Sequence, residues 1–313
     1  MKTKTKPTGQ RNGLVKALKN TWPLYVMLLP ALIYILMFKY SSMYGAIIAF
    51  KDYKVKDGIW GSAWVGLKWF KKFFDYYECW TLVENTLRIS IYNIIISLVV
   101  SIVLSLMINS IRSKRLKSVV QTVTYMPHFV SVVVLVGIII RFFNPSMGAI
   151  SKLIQAFGGT DRDLMGMASA IPHIYVWSDV WQNAGWNTVL YLAALTAVDP
   201  QLHEAGIVDG ATRLQRVWYI DIPAIIPTVV ISLIMKMGSV LSVGTEKMLL
   251  MQNDLNRSTT EVISTYVYNK GIASASPQYS YATAIGLLNS AISFLLIVIT
   301  NKICKKLSGT SLF

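Results

Sequence analysis

The stretch EAGIVDGATRLQRVWYIDIPAIIP, residues 204–227, is a short polar island in an otherwise apolar chain, placed between two segments long enough to cross a bilayer. A hydrophilic connector of that length must be a small unit of its own, and its residues say how it is built. Asp199-Pro200 just ahead of it is a helix start, a capping side chain followed by a residue whose fixed φ suits a first turn. Glu204, Ala205 and Gly206 continue that helix with a small, nearly flat surface. Asp209-Gly210 breaks it: Gly210 accepts the positive φ of a sharp turn, and Asp209 is placed to cap a helix restarting at Ala211. The restarted helix carries Arg213 and Arg216 and is expected to end at Ile222-Pro223, where a membrane helix begins. Two short helices on a glycine elbow form a knob.

Around that knob the chain is too apolar for an ordinary soluble domain, with 54% hydrophobic and 14% charged residues in 313. Six stretches have the ~20 apolar residues that a crossing needs: 22–38, 82–108, 119–142, 173–194, 224–243 and 282–303. The expected fold is therefore all-α and polytopic, six transmembrane helices in a single domain over 22–306. Residues 1–21 and 307–313 are tails, and 199–223 form the connector. The second span contains Arg88 and Asn93, so its start is expected at the interface. The basic start lacks a small-residue cleavage site after its first apolar run, which makes that run a retained helix rather than a removed signal.

The net charge of +15 would suit nucleic acid only on the face of a folded soluble module. Here the basic residues cluster at span ends instead. Lys2, Lys4, Lys6, Arg11, Lys16 and Lys19 precede the first span, Arg112, Lys114, Arg115 and Lys117 follow the second, and Lys302, Lys305 and Lys306 follow the sixth. With six crossings all three clusters fall on one side, which the positive-inside rule makes the cytoplasm, and the knob lies there too. Cys79 and Cys304 then lie on opposite sides and do not pair. The outer loop over 39–81 holds Trp60, Trp64, Trp69, Phe70, Phe73, Phe74, Tyr76 and Tyr77, read either as an interfacial aromatic belt on an amphipathic helix or as a docking surface.

The fourth span is unusual. Trp177, Trp181, Gln182, Asn183, Trp186, Asn187 and Tyr191 mix aromatics with amides in a segment that must cross lipid, beside the carboxylate Asp179. Polar side chains there must face protein or water, and sugars, with hydroxyl edges and C–H faces, suit aromatic planes beside amides. Trp177, Trp181 and Tyr191 lie nearly in line at helical spacing, Trp186 off that line. The set reads as a translocation-path lining, with interhelical hydrogen bonding as the alternative for each residue. Lys236 in the fifth span, with Ser239 and Ser242, joins it as a path candidate, with snorkelling or a structural ion pair as the alternative. His128 stands near an expected cytoplasmic helix end with no carboxylate on its own span, against a proton relay. Gly137 is read as allowing close helix packing.

What is missing narrows the chemistry further. No G-x-x-x-x-G-K-[ST] phosphate loop, H-E-x-x-H, paired metal-ligand cysteines or nucleophile elbow occurs. The one D-x-D, Asp161 and Asp163, sits in a short loop without a catalytic domain around it. The expectation is a membrane chain without an ATPase, catalytic or metal site of its own.

The knob resembles the coupling loop of binding-protein-dependent ABC transporter permeases. Glu204, Ala205, Asp209, Gly210, Ala211, Ile220, Pro223 and Pro227 match its pattern; Gly206 stands where Ala is usual and Ile222 where Leu is usual. VGLKWF at 65–70, MPHFVSVVVLVGI at 126–138, SDVWQNAGWNTVLYLAALTAVDP at 178–200, EVISTYVYNKGI at 261–272 and the ending from Gln278 extend the likeness over most of the chain. Together they look like the sugar-transport (MalF-like) superfamily and its LplB-like oligosaccharide and polysaccharide group. The resemblance implies a MetI-like, type I importer fold. It also implies coupling by Glu204, Ala205, Gly206, Asp209, Gly210, Ala211 and Pro223 to two copies of a cytoplasmic ATPase that bind ATP and Mg. A second permease chain, expected to be different, and an external solute-binding protein complete the assembly in a bacterial plasma membrane, both termini cytoplasmic. The competing reading is an ion-driven secondary sugar carrier, which predicts inverted repeats or mid-bilayer carboxylates; no clear repeat is visible and Asp179 is the only carboxylate near a central position.

Overall fold

The computed structural model describes residues 10–158 and 163–312, with side chains from Thr21 onward. Lys2, Lys4, Lys6 and Asp161 lie outside them. Two units are separable, residues 1–66 and 67–313.

In the first unit helix α1 (Gln10–Tyr34) begins well ahead of the expected start of its span at residue 22. It runs through a π turn (Ile35–Tyr40) and α2 (Ser41–Tyr44) into a 3-10 turn (Gly45–Phe50). A two-residue antiparallel ladder of β1 (Lys51–Asp52) and β2 (Ala63–Trp64) encloses the short α3 (Gly58–Gly61), with Trp64 stacked on Phe50 at 5.6 Å.

The second unit is all helix: α4 (Lys68–Phe74), α5 (Cys79–Asn109), α6 (Lys114–Tyr125), α7 (Val132–Phe142), α8 (Ala149–Ala156), α9 (Ile171–Thr196), α10 (Pro200–Val208), α11 (Arg213–Arg216), α12 (Ile222–Met237), α13 (Thr245–Met251), α14 (Arg257–Thr260), α15 (Ile263–Tyr268) and α16 (Tyr279–Ser308). Its centre is α5 packed along α9. Ser97, Ser101 and Ser105 recur every four residues on α5 and are buried, as are Ala184 and Thr188 on α9. Small side chains at helical spacing let two backbones approach, which is how helices associate where no water drives them together. α12 lies across α9 and α16, and α16 also packs on α4 and α15.

Among the described residues four helices are long and apolar enough to cross a membrane: Thr21–Phe50, Cys79–Asn109, Arg213–Met237 and Tyr279–Ser308. The other two expected spans differ. The third is broken, Lys114–Phe129 meeting Val132–Phe142 at 94°. Pro127 cannot donate into a helix, and the Ser131 hydroxyl caps the new start by accepting from the Val134 N–H at 3.3 Å. The fourth forms as one 26-residue helix, α9, which its amides and tryptophans make less apolar than those four. The fifth ends at Met237, so Ser239 and Ser242 stand beyond the helix rather than on it.

Other expectations are corrected as well. Trp69, Phe73 and Tyr76 do not all lie on a membrane surface: Phe73 is buried, and Trp69 and Tyr76 pack with it on Leu82, Tyr266 and Tyr281, because α4 folds back against α5, α15 and α16. Trp60, Trp64, Phe74 and Tyr77 are exposed. A Cβ at Gly137 would meet nothing within 4 Å among the described residues, so no described helix packs there. The close approach is at Gly185, where a Cβ would overlap the Thr124 carbonyl oxygen and lie 2.5 Å from its carbon. Cys79 and Cys304 are free and buried. The Asp163 carboxylate accepts the Met165 N–H at 3.0 Å, shaping a turn.

Candidate functional site

The knob is built as two capped helices. Asp199 caps α10 by accepting from the Gln201 N–H at 2.9 Å, with Pro200 in the first turn. The helix closes in a left-handed turn: Gly210 has φ +76°, its N–H reaches the Ile207 carbonyl at 3.1 Å and the Ala211 N–H reaches the Gly206 carbonyl at 2.8 Å. Asp209 therefore ends α10 and does not cap the next helix. That role belongs to Thr212, in a reciprocal box: its hydroxyl accepts the Gln215 N–H at 3.4 Å while its own N–H donates to Gln215 Oε1 at 2.7 Å. The T-x-x-Q spacing was the available signal.

Nor does the second knob helix end at Ile222-Pro223. From Arg213 the chain runs through a π turn (Val217–Asp221) into α12, one rod of 25 residues over Arg213–Met237. Pro223 falls in the first turn of α12, where a missing N–H is harmless. Glu204, Ala205, Asp209, Gly210 and Pro223 are exposed, and Gly206 and Ala211 half-buried. A Cβ on Gly206 would touch the Arg216 stem at an ordinary 3.4 Å. Val208 and Leu214 are 88% and 81% exposed, so the knob presents apolar as well as acidic surface.

The candidates on α9 divide into three groups. Trp177 and Trp181 are about half exposed on the chain's surface, whereas Tyr191 is enclosed and its hydroxyl donates to Ser232 at 3.2 Å, so the expected line of three aromatics is split. Gln182, Asn183 and Trp186 meet the break between α6 and α7. Gln182 donates to the Val130 carbonyl at 2.8 Å, supplying a partner that the interrupted helix cannot. His128 stacks on Trp186 at 4.7 Å, nearly parallel, and its Nδ1 is 2.9 Å from Asn183 Oδ1. Asn183 in turn donates to Asp179 at 3.0 Å. His128 thus sits at the break between α6 and α7, and its link to a carboxylate comes from another helix.

Asn187 and Lys236 form the third group. Both donate to Ser97 Oγ, at 3.3 and 3.0 Å. No carboxylate lies within ion-pair distance of Lys236 among the described residues. It lines a cavity of about 140 Å³ with Ser90, Asn93, Tyr175 and Ser242, and Asn93 Oδ1 is buried there without a hydrogen-bond partner.

Two features escaped the sequence reading. Lys247 on α13 is buried, donates to the Tyr175 carbonyl at 3.1 Å and lies 4.7 Å over the Tyr175 ring. Burial pushes its amine down to about 8, with Asp179 pulling the other way. Nothing in a polar stretch marks one lysine as the enclosed one. The second is a cavity of about 580 Å³ beside the start of α5, lined by Tyr76, Tyr77, Asn85, Lys270 and the Arg257–Glu261 pair, whose contacts are 3.1 and 3.2 Å. It joins residues almost two hundred positions apart, which no local pattern reveals.

Comparisons with known proteins accord with this architecture. Residues 95–308 match the family described as binding-protein-dependent transport system inner membrane component. Protein LplB of Bacillus subtilis (strain 168) is 41% identical over 305 residues, covering 97% of this chain and 95% of the relative. The polygalacturonan/rhamnogalacturonan transport system permease protein YteP of the same organism is 40% identical, covering 96% and 92%. Among solved structures, a chain of a bacterial alginate ABC transporter in complex with an alginate pentasaccharide-bound periplasmic protein superposes with a TM-score of 0.85 at 33% identity, covering 95% of this chain and 99% of that one.

Proposed function

Because the chain belongs to the family of binding-protein-dependent transport system inner membrane components, we propose that it is the membrane-spanning permease of an ATP-driven importer for oligosaccharides or polysaccharide fragments. An external binding protein delivers the cargo, a second and different permease chain completes the pathway, and two copies of a cytoplasmic ATPase, holding the ATP and Mg, grip the knob. Glu204, Ala205, Gly206, Asp209, Gly210, Ala211 and Pro223 form the gripped surface, the chain is one permease domain over 22–306 with its coupling loop at 199–223, and both termini are cytoplasmic.

The observation that carries this reading is the knob itself. It is a capped, rigid unit with exposed carboxylates and exposed Val208 and Leu214, and it is continuous with a rod that enters the bundle. Apolar side chains so exposed on a polar connector suit a protein partner. Movement of the knob by a closing ATPase pair would then move the rod and switch access between sides. Trp177, Trp181, Gln182, Asn183, Trp186, Asn187, Tyr191 and Lys236 remain the path set. Within it the surface tryptophans and the Lys236 cavity are positioned to meet cargo, and Gln182 and Tyr191 to hold the bundle. Two enclosed amines, the half-buried Lys236 on its cavity and the buried Lys247, favour an acidic saccharide. One similar solved transporter is described as importing the acidic polysaccharide alginate.

Proteoliposomes containing the complex that co-purifies with this chain test the proposal. Uptake of an oligo-uronate should require ATP inside and the binding protein outside, and should survive an ionophore. Uptake that persists without ATP and collapses with the ionophore would establish the ion-driven carrier instead.

A further inference from the structure

Between the end of α5 and the knob lies a cavity of about 420 Å³. Asn109 ends one candidate span and Arg213 opens the rod that becomes another, so the cavity stands beside the ends of two spans, on the side of the polar connector. Its lining brings Arg112, Arg213, Arg216 and the imidazole of His203 against one carboxylate, Asp221.

Those groups are not a loose solvated face. Asp221 is buried with Oδ1 3.3 Å from His203 Nε2, a contact that becomes an ion pair when the ring is protonated, and that oxygen, like Arg216 Nε, has no hydrogen-bond partner among the described residues. Arg213 donates through Nη2 to the Ser110 carbonyl, which ties the knob helix to the end of α5 and leaves its other N–H groups for a ligand. The Arg216 stem lies across Gly206, and its Nε is enclosed without a hydrogen-bond partner among the described residues. An enclosed guanidinium donor is costly unless something accepts from it. Planar forks of this kind match the geometry of phosphate oxygens.

We propose that this cavity binds a phosphate group, in the first instance the headgroup phosphate of an anionic phospholipid, which bridges the end of α5 and the knob. Free phosphate shares the chemistry and is distinguished by experiment. The site does not depend on the nature of the cargo, so it stands or falls apart from the sugar assignment.

The test uses the complex carrying the full chain, in nanodiscs of phosphatidylglycerol with phosphatidylcholine, read by native mass spectrometry of retained lipid. Wild type should retain phosphatidylglycerol, and the double variant R112Q/R213Q should lose about tenfold or more of that retention, since each basic group near the surface favours anionic lipid by ~1 kcal/mol. Asp221→Asn removes the one opposing carboxylate and should retain more, a change that mere loosening of the knob would not produce. Both variants are checked for unchanged thermal midpoint, and Asp221→Asn keeps the test decisive if the double variant fails to assemble. Equal lipid retention in all three proteins, with no thermal shift on adding inorganic phosphate, would overturn the proposal. A thermal shift with inorganic phosphate, lost in R112Q/R213Q and unaccompanied by lipid retention, would keep the phosphate site and overturn the lipid.

Discussion

The seam where α9 receives the break between α6 and α7 and the knob of α10 and α11 are both interruptions of membrane helices, and they are resolved in opposite ways. At the seam the freed backbone is answered from within: Gln182 supplies the Val130 carbonyl, Ser131 caps the new helix, and Gly185 leaves room for the Thr124 carbonyl and nothing more. At the knob the ends are capped by its own residues while its apolar side chains point away from the rest of the chain. An interruption enclosed in the bundle must satisfy its polar groups inside protein. One at the water's edge is free to keep its surface for a partner.

The contrast is sharpest at Gly185. Gly185→Val places carbon on a backbone that cannot retreat, a cost above ~3 kcal/mol of the overpacking kind, and the chain should be lost from the folded peak in detergent gel filtration. A folded variant with an unchanged thermal midpoint would break the comparison at its rigid end. Gly210→Pro should act oppositely: a residue locked near φ −65° cannot occupy +76°, so ATP-driven uptake should vanish while the chain still inserts and its bundle melts normally. Normal uptake by that variant would remove the knob's role. Gln182→Leu orphans a carbonyl at the break and should lower stability by ~1–2 kcal/mol in a denaturant titration; no change would mean that the amide serves cargo rather than structure. The smallest effect is expected at Gly206→Ala, where the neighbouring space is ordinary contact. It should stabilise α10 by up to ~1 kcal/mol, read as a small rise in helix content or melting point, with uptake unchanged.

Most of the knob could be read beforehand because its signals are local. Asp199-Pro200 and Gly210 act on their own turn, and the structure places them as their chemistry demands. The misassigned cap shows the limit of such reading: Asp209 and Thr212 both favour caps, and only the return bond from Gln215 decides between them. The α9 candidates were harder, because a glutamine facing a sugar and a glutamine facing a backbone carbonyl are identical in one dimension. What settles Gln182 is a bend 52 residues away in the chain, and what settles Gly185 is the path of α6. Pro127 hinted at the bend, but a proline in an apolar run is also tolerated in unbroken spans, as Pro227 is in α12.

The π turn at Val217–Asp221 has a consequence for how the two regions are set against each other. An α-helix advances about 100° per residue, and a π turn takes up one extra residue without that rotation. Lys236 donates to Ser97 from the far end of the same rod. Deleting a single residue from that turn would let it close as an ordinary α turn with knob and bundle facing nearly as before, whereas deleting one from the α stretch beyond it would rotate one about the other by roughly a quarter of a circle, like a key cut correctly and mounted at the wrong angle.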